Sequence, residues 1–445
     1  MLINHNQNML CLDEFDILEL RENADECDYL FVVSPKIETK ICTKCGSCNV
    51  VNYGRYTKLV RDININEHYT ALKIRGHKHL CKDCGSIFVD RFNTLDLCSK
   101  MTNRLRCKIQ QLSLTKPFKH IAREYKLSVT TIEKIALAYI REKDSQRNIY
   151  SPEVLGIDEA HLNGSIRCVL TDINEHLLFE MLPKRDKQTV INYLDSLPDS
   201  NNIKVVTMDM YRPYREAVYE CLPDAAIVID RFHVVKLIND ALSDYRKTLC
   251  KQLSVAEKKE INSVQKVLNA NRKDLTANQN KKLGYIYSKY PKLKMAYDLK
   301  EEFREIYECT NRRAAVLKYT KWSRKVKQNF SPYIPITETV NRWSREIFNY
   351  FDHPYTNGVT EAINGCIKAI ARDGKGYSFE ILRGKVLYGQ AYKTKAIFSY
   401  NKFSPTVHYV TGSSTSSSLN MIQDLMDSYK QISGADIDRL KLGLF

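Results

Sequence analysis

The chain of 445 residues is long enough for two to four domains, each able to bury a core of its own. Its 68 Lys and Arg outnumber 52 Asp and Glu, and the resulting formal charge of +16 favours a polyanionic partner, nucleic acid first and acidic membrane second. Hydrophobic residues at 43% exclude a disordered basic tail, and apolar runs such as Ala225–Ile229 are too short to span a bilayer.

Residues 1–40 carry nine acidic side chains against three basic ones and read as an acidic N-terminal arm. The spacing of Leu12, Phe15, Leu18 and Leu20 predicts a short amphipathic helix that packs or makes a dimer contact. No basic segment followed by an apolar one opens the chain, so a reducing cytoplasm is expected, and the 14 cysteines read as metal ligands and buried thiols rather than disulfides.

Cys42-Thr-Lys-Cys45-Gly and Cys81-Lys-Asp-Cys84-Gly are matching knuckles. Four thiolates in two such turns suit tetrahedral structural zinc, and the glycine after each pair permits the turn that aims N–H groups at sulfur. Cys48 has no partner at knuckle spacing and stays outside the set. The stretch between the knuckles, with Arg55, Lys58 and Arg75 among aromatic residues, predicts the hairpin of a zinc ribbon over about 41–92, with a surface for phosphate contacts.

Lys116 to Ala136 has the pattern of a helix-turn-helix within 100–145. Pro117 suits a helix start, Ala122 a close crossing, and Ser128 an N-cap. Val129, Ile132 and Ile135 form the predicted inner face, leaving Thr130, Thr131 and Lys134 outward, where a recognition helix reads the major groove. Lys126 stands where a small turn residue is usual.

Ser151-Pro152 marks a boundary, after which five short apolar runs, Val154–Ile157, Ile166–Leu170, Leu177–Leu182, Lys204–Met208 and Ala226–Ile229, predict a mixed α/β sheet. Three of the strands end in an acid: Asp158, Asp209 and Asp230. Such a carboxylate cluster is electrostatically costly without cations and suits Mg²⁺ or Mn²⁺. Residues 234 to about 350 are Lys- and Leu-rich with helical periodicity and predict an all-α insertion. Beyond it, steps of three and four place Glu361, Asn364, Lys368 and Arg372 on one helix stripe, opposite Ile363, Ile367 and Ile370. Two metals held by three carboxylates activate a water or a 3′-hydroxyl for in-line attack on a phosphodiester. Gly412–Ser418 predicts a flexible linker, and 412–445 as a whole a linker and final helix.

Zinc ribbon, helix-turn-helix and acid-tipped strands together resemble a bacterial insertion-sequence transposase of the ISL-three family over about residues 40–400. The most specific segments are Gly156-Ile-Asp158-Glu-Ala-His161, Asp209-Met-Tyr211-Arg-Pro-Tyr214, Asp230-Arg-Phe-His233 and Thr356-Asn-Gly-Val-Thr-Glu361-Ala-Ile-Asn364. The resemblance implies a ribonuclease-H-like DDE core over 151–405, with Asp158, Asp209 and Glu361 as catalytic magnesium ligands and Asp230, His233, His161 and Asn364 as auxiliary residues. Lys368 and Arg372 would then hold DNA backbone; Trp322 and Trp343 read first as core residues, with stacking on an unpaired base as the alternative. It further implies a bacterial, nucleoid-associated protein that binds double-stranded DNA, its element's ends and a target, as at least a dimer. A DNA-binding regulator, an inactive remnant and a nuclease without strand transfer are the competing readings. The intact acids speak against the first two, and the two N-terminal DNA-binding modules against the third.

Overall fold

The computed structural model describes residues 10, 12–24, 27–36, 40–95, 100–162 and 164–399, with side chains up to Gly389. The predicted linker at Gly412–Ser418 and the final helix lie outside them. The chain divides into two units, Met1–Asn148 with Ile370–Gln390, and Ile149–Ala369 with Ala391–Phe445.

In the first unit, strands β1 (Phe15–Ala24), β2 (Cys27–Pro35), β3 (Val50–Arg61) and β4 (Thr70–Cys81) form one sheet in the order β1-β2-β4-β3, with β5 (Ile87–Val89) on β4. Phe15–Ala24 and Cys27–Pro35 of the acidic segment are thus strands of this sheet, where the sequence predicts an amphipathic helix over Leu12 to Leu20. Phe15 and Ile17 are buried while Asp16 and Leu18 are exposed, an alternation of period two. Pairing with β2 decides the outcome, because Phe15 and Ile17 then bury against Phe31, Val33, Leu72 and Ile74, contacts a lone helix would lack. The predicted hairpin between the knuckles is β3 and β4, paired from Val50↔Cys81 to Arg61↔Ala71.

Three helices follow: α1 (Asn103–Thr115), α2 (Phe118–Glu124) and α3 (Val129–Ser145). The α3 cap is as predicted, with the Thr131 N–H donating to Ser128 Oγ at 3.1 Å. Lys126 adopts φ +43°, so the turn keeps the left-handed backbone that a glycine would favour. The inner face of α3 is Ile132, Ala136 and Ile140; of the predicted inner set, Ile135 is half-buried and Val129, in the first turn, is 41% exposed.

The second unit is built on a five-stranded sheet. Strands β6 (Val154–Leu162), β7 (Ser165–Asp172), β8 (Leu177–Leu182), β9 (Val205–Met208) and β10 (Ala226–Ile229) are ordered β10-β9-β6-β7-β8. The first three run antiparallel in hairpins; β9 and β10 return parallel to β6 through α4 (Lys187–Asp195) and α5 (Arg212–Cys221). Near-continuous apolar strands fit a sheet covered on both faces, and Leu155, Ile157, Val206, Met208 and Ile229 are buried.

From α6 (Arg231–Lys251) to Phe351 the described chain is helical, as expected of the insertion: α7 (Val255–Asn262), α8 (Gln265–Asn269), α9 (Ala277–Lys289), α10 (Pro291–Arg304), α11 (Arg312–Asn329), α12 (Ile334–Arg342) and α13 (Ser344–Phe348). Trp322 and Trp343 are 2% and 5% exposed, and the Trp322 indole donates to the Leu299 carbonyl at 2.8 Å. Both belong to the core and neither can stack on a base. Two helices complete the described chain, α14 (Gly358–Gly374) and α15 (Phe379–Ser399).

Candidate active site

The register of the second sheet aligns the acids. Ile157 pairs with Met208 and Met208 with Ile229, so the next residues, Asp158, Asp209 and Asp230, stand in a row across three parallel strands. Neighbouring strands are about 4.8 Å apart, close enough for like charges to oppose one another. Glu159, one residue on, points to the other face and pairs with Arg185 at 2.5 Å.

Helix α14 closes the row with Glu361. Three hydrogen bonds seat its start on the sheet. Asn357 Nδ2 donates to the Ile157 carbonyl at 3.2 Å, Thr207 Oγ1 donates to Asn357 Oδ1 at 2.5 Å, and the Thr360 and Thr171 hydroxyls share a hydrogen bond of 2.7 Å. Gly156 permits that approach, since a Cβ there would collide with Thr171 Oγ1, Ile173 Cδ1 and Thr360 Oγ1. Asn364, one turn beyond Glu361, donates to Asp158 Oδ2 at 2.7 Å, and Asp158 Oδ1 accepts the Glu159 N–H.

His233 sits among the acids. Its Nε2 lies 2.9 Å from Asp209 Oδ1 and 4.0 Å from Glu361 Oε1. The ligand atoms of Asp230, His233 and Glu361 fall within 4.8 Å of one another. Burial and the charge of Asp209 push the Asp158 carboxyl up to about 6; burial and Asp230 push Glu361 up to about 7. Burial also raises Asp230. Burial alone would lower the pKa of His233, but Asp209, Asp230 and Glu361 outweigh it and raise it. Proton binding by these crowded acids thus offsets part of an excess of negative charge, and the same charge favours the protonated form of His233. Asn364 Oδ1 is buried without a hydrogen-bond partner, while its amide nitrogen is on Asp158. Carboxylate oxygens crowded until the pKa values of Asp158 and Glu361 rise fit a hard divalent cation.

Residues 155–386, just over half of the chain, match the sequence model of a family described as transposase, the ISL-three group of DDE type. The chain belongs to this transposase family. It is 25% identical over 355 residues to the transposase for insertion sequence element IS1001 of Bordetella parapertussis, covering 78% of this chain and 87% of the relative. It is also 23% identical over 252 residues to the transposase for insertion sequence element IS1557 of Mycobacterium tuberculosis, covering 50% of this chain and 56% of that relative. The protein is therefore a DNA transposase, an enzyme acting on DNA.

In the transposase, Asp158, Asp209, Asp230, His233, Glu361 and Asn364 converge, although they come from strands, a helix start and a helix some 200 residues apart in sequence. His161 does not join them: it is exposed and, three residues from Asp158 on the same strand, falls on the opposite face. Lys368 is exposed on α14, and Arg372, also exposed, belongs to the first unit. The clamp of Asn357, Thr207, Thr360 and Gly156 was not foreseen as such; its only signal was the Thr356-Asn-Gly run preceding Glu361.

In the first unit the four knuckle sulfurs lie within 4.8 Å of one another. Gly46 and Gly85 take φ +76° and +68°, the turn each knuckle needs. The Ser86 hydroxyl, with the N–H groups of Cys45 and Lys44, holds the Cys42 thiol down to about 6, toward the thiolate a metal requires. Asp83 ties the knuckles together by accepting from Ser47 Oγ and Asn49 Nδ2. Cys48 is exposed and outside the group. On the hairpin, Arg55 pairs with His77 and Thr57 with Arg75, so Arg55 and Arg75 share a face with Lys73; Lys58 pairs with Ile74 on the opposite face and is half-buried, away from the predicted phosphate surface. On α3, Thr130 and Lys134 are exposed, whereas Thr131 is half-buried with its hydroxyl on Ser128.

Among the described residues no helix is long and apolar enough to cross a membrane.

Proposed function

We propose that this transposase binds the terminal inverted repeats of its insertion sequence, cleaves the DNA at their 3′ ends and transfers those ends to target DNA. The observation that carries the reading is the row of Asp158, Asp209 and Asp230 closed by Glu361. The strand order of the second sheet, with an acid-bearing helix after a helical insertion, supports a ribonuclease-H-like DDE core over 151–405 with the insertion at about 234–350. The cysteine cluster supports a structural zinc ribbon over 41–92, and the capped helix pair a helix-turn-helix over 100–145, reading DNA with Thr130 and Lys134 while Arg55 and Arg75 contact phosphates.

Asp158, Asp209 and Glu361 would hold two divalent ions, Mg²⁺ or Mn²⁺, which when bound supply an activated attacking oxygen and stabilise the leaving one. Asn364 fixes the rotamer of Asp158 by its hydrogen bond. His233 sets its imidazole against Asp209 and Glu361, beside Asp230, where a proton on the ring would limit repulsion between the acids. Lys368 and Arg372 on the exposed stripe of α14 hold the DNA backbone. Because two ends are joined in one event, the acting form is at least a dimer.

The test is metal-dependent cleavage and joining of a labelled duplex carrying the DNA that flanks the gene, with Asp158→Asn as control. Joined products lost in the variant uphold the reading. Cleavage without joining assigns a nuclease, and binding with neither, on paired ends, a regulator.

A further inference from the structure

Where the strand opens beside a scissile phosphodiester, an unstacked base exposes apolar faces that need a partner. The tryptophans cannot supply it, being buried in the helical insertion. Phe232 can. It is 59% exposed, the one phenylalanine among the exposed large hydrophobic side chains of the described residues. It lies between two members of the cluster, Asp230 and His233.

Its position is fixed by the cluster itself. Asp230 caps α6 by accepting the Phe232 N–H at 3.4 Å, and the Phe232 ring meets the His233 imidazole edge to face with centroids 5.6 Å apart. That imidazole is 2.9 Å from Asp209 Oδ1. An apolar ring held this way, with most of its surface in solvent and its rim against a catalytic-site histidine, is positioned for a ligand that brings both a flat apolar face and a phosphate. A nucleotide of the DNA strand being cleaved meets both requirements.

Resting on the cleavage reading above, we infer that Phe232 is a stacking subsite for an unpaired nucleobase next to the scissile phosphate. The subsite stabilises the opened strand, and sequence plays no part in it, since every base has a π-face.

The experiment uses the full chain with Mg²⁺ or Mn²⁺ and labelled element ends, either intact or with a single abasic residue placed in turn at each position around the cleavage point. Phe232→Ala is expected to slow cleavage of the intact end roughly 10- to 100-fold, the range set by loss of one base–aromatic stack, and Phe232→Trp to preserve it. At one abasic position, wild type and Phe232→Ala are expected to cleave at the same rate, because the base that the ring would hold is gone. A purely structural role would give a defect that persists at every abasic position, and that result overturns the inference. So does cleavage of the intact end by Phe232→Ala at the wild-type rate, or a Phe232→Ala variant that loses self-association alone, which would assign the ring to a second copy of the chain. A wild-type protein that cleaves no substrate refutes the cleavage reading and this inference with it, a pattern distinct from either of the others.

Discussion

Thr207 Oγ1 donates a hydrogen bond of 2.5 Å to Asn357 Oδ1, joining β9 to the start of α14 across 150 residues of sequence. The other end of the same amide binds the Ile157 carbonyl on β6, and the Asn357 backbone N–H donates to Asp230 beyond β10, offsetting a little of the burial that raises that carboxyl. One fully buried residue thus meets three strand ends, two through its side chain and one through its backbone, and sets Glu361 one turn away. Asn357→Ala is expected to leave two buried partners unsatisfied, destabilise the protein by about 2–4 kcal/mol and slow cleavage at least roughly 10-fold. Thermal unfolding and single-turnover cleavage, measured at a temperature where the variant is folded, check it; wild-type cleavage would show that Glu361 is positioned without the clamp.

Glu361→Gln and Asp158→Asn remove a metal-holding oxygen charge while keeping shape. Both are expected to retain binding to element ends within a few-fold and to lose cleavage by at least about 100-fold. Mobility-shift and cleavage assays on the same preparation separate the two properties. Loss of binding by a folded variant would count against a catalytic role distinct from end recognition.

The raised carboxyls make metal-free stability fall with pH. Asp158 and Glu361 titrate near 6 and 7 in the folded protein, above ordinary values of 3.8 and 4.5, so the folded state holds protons that the unfolded chain releases. Their stabilising contribution is full below about pH 4 and is lost as pH rises through 6 to 7. In chelator, the thermal midpoint should therefore drop between pH 5 and 8, by an amount on the order of 2 kcal/mol per group. Asp158→Asn should shrink that slope, and Mg²⁺ should restore stability at pH 8. A flat profile in chelator would refute the crowding of charge.

The knuckle cluster predicts about one zinc per chain by elemental analysis. Cys42→Ser or Cys84→Ser should release it and weaken end binding, while metal-dependent chemistry on a pre-nicked end should decline less. Stoichiometric zinc retained in Cys42→Ser would exclude these four sulfurs as its ligands.

Lys134 projects from the exposed side of α3 next to Thr130. Lys134→Ala should weaken binding to every sequence alike and reduce the salt slope of binding by about 1, if it meets a phosphate. Thr130→Ala should instead relax discrimination at one base position by about 1 kcal/mol or more. Titrations at several salt concentrations, on end and unrelated duplexes, distinguish the two.

Local pattern was enough to find the knuckles, the Ser128 cap, the five strands of the second sheet and the helix bearing Glu361, because each is written in neighbouring residues: a turn glycine, a hydroxyl before a helix, an apolar run ending in an acid. The tertiary structure decided the rest. Phe15 and Ile17 lie in a strand only because β2 and β4 offer them a face to bury against, and Leu18 is left outside. His161 and Lys58 lost their predicted places to the two-residue alternation of their own strands, a one-residue matter that flips a side chain to the other face. Trp322 and Trp343 lie in the core, the first of their two readings, and packing between helices distant in sequence decides it. Above all, the meeting of Asp158, Asp209 and Asp230 with Glu361 depends on inter-strand register and on the Asn357 clamp. Both are contacts between residues up to 200 apart, whose pairing is selected by burial and hydrogen-bond satisfaction in the assembled sheet and is encoded in no single segment.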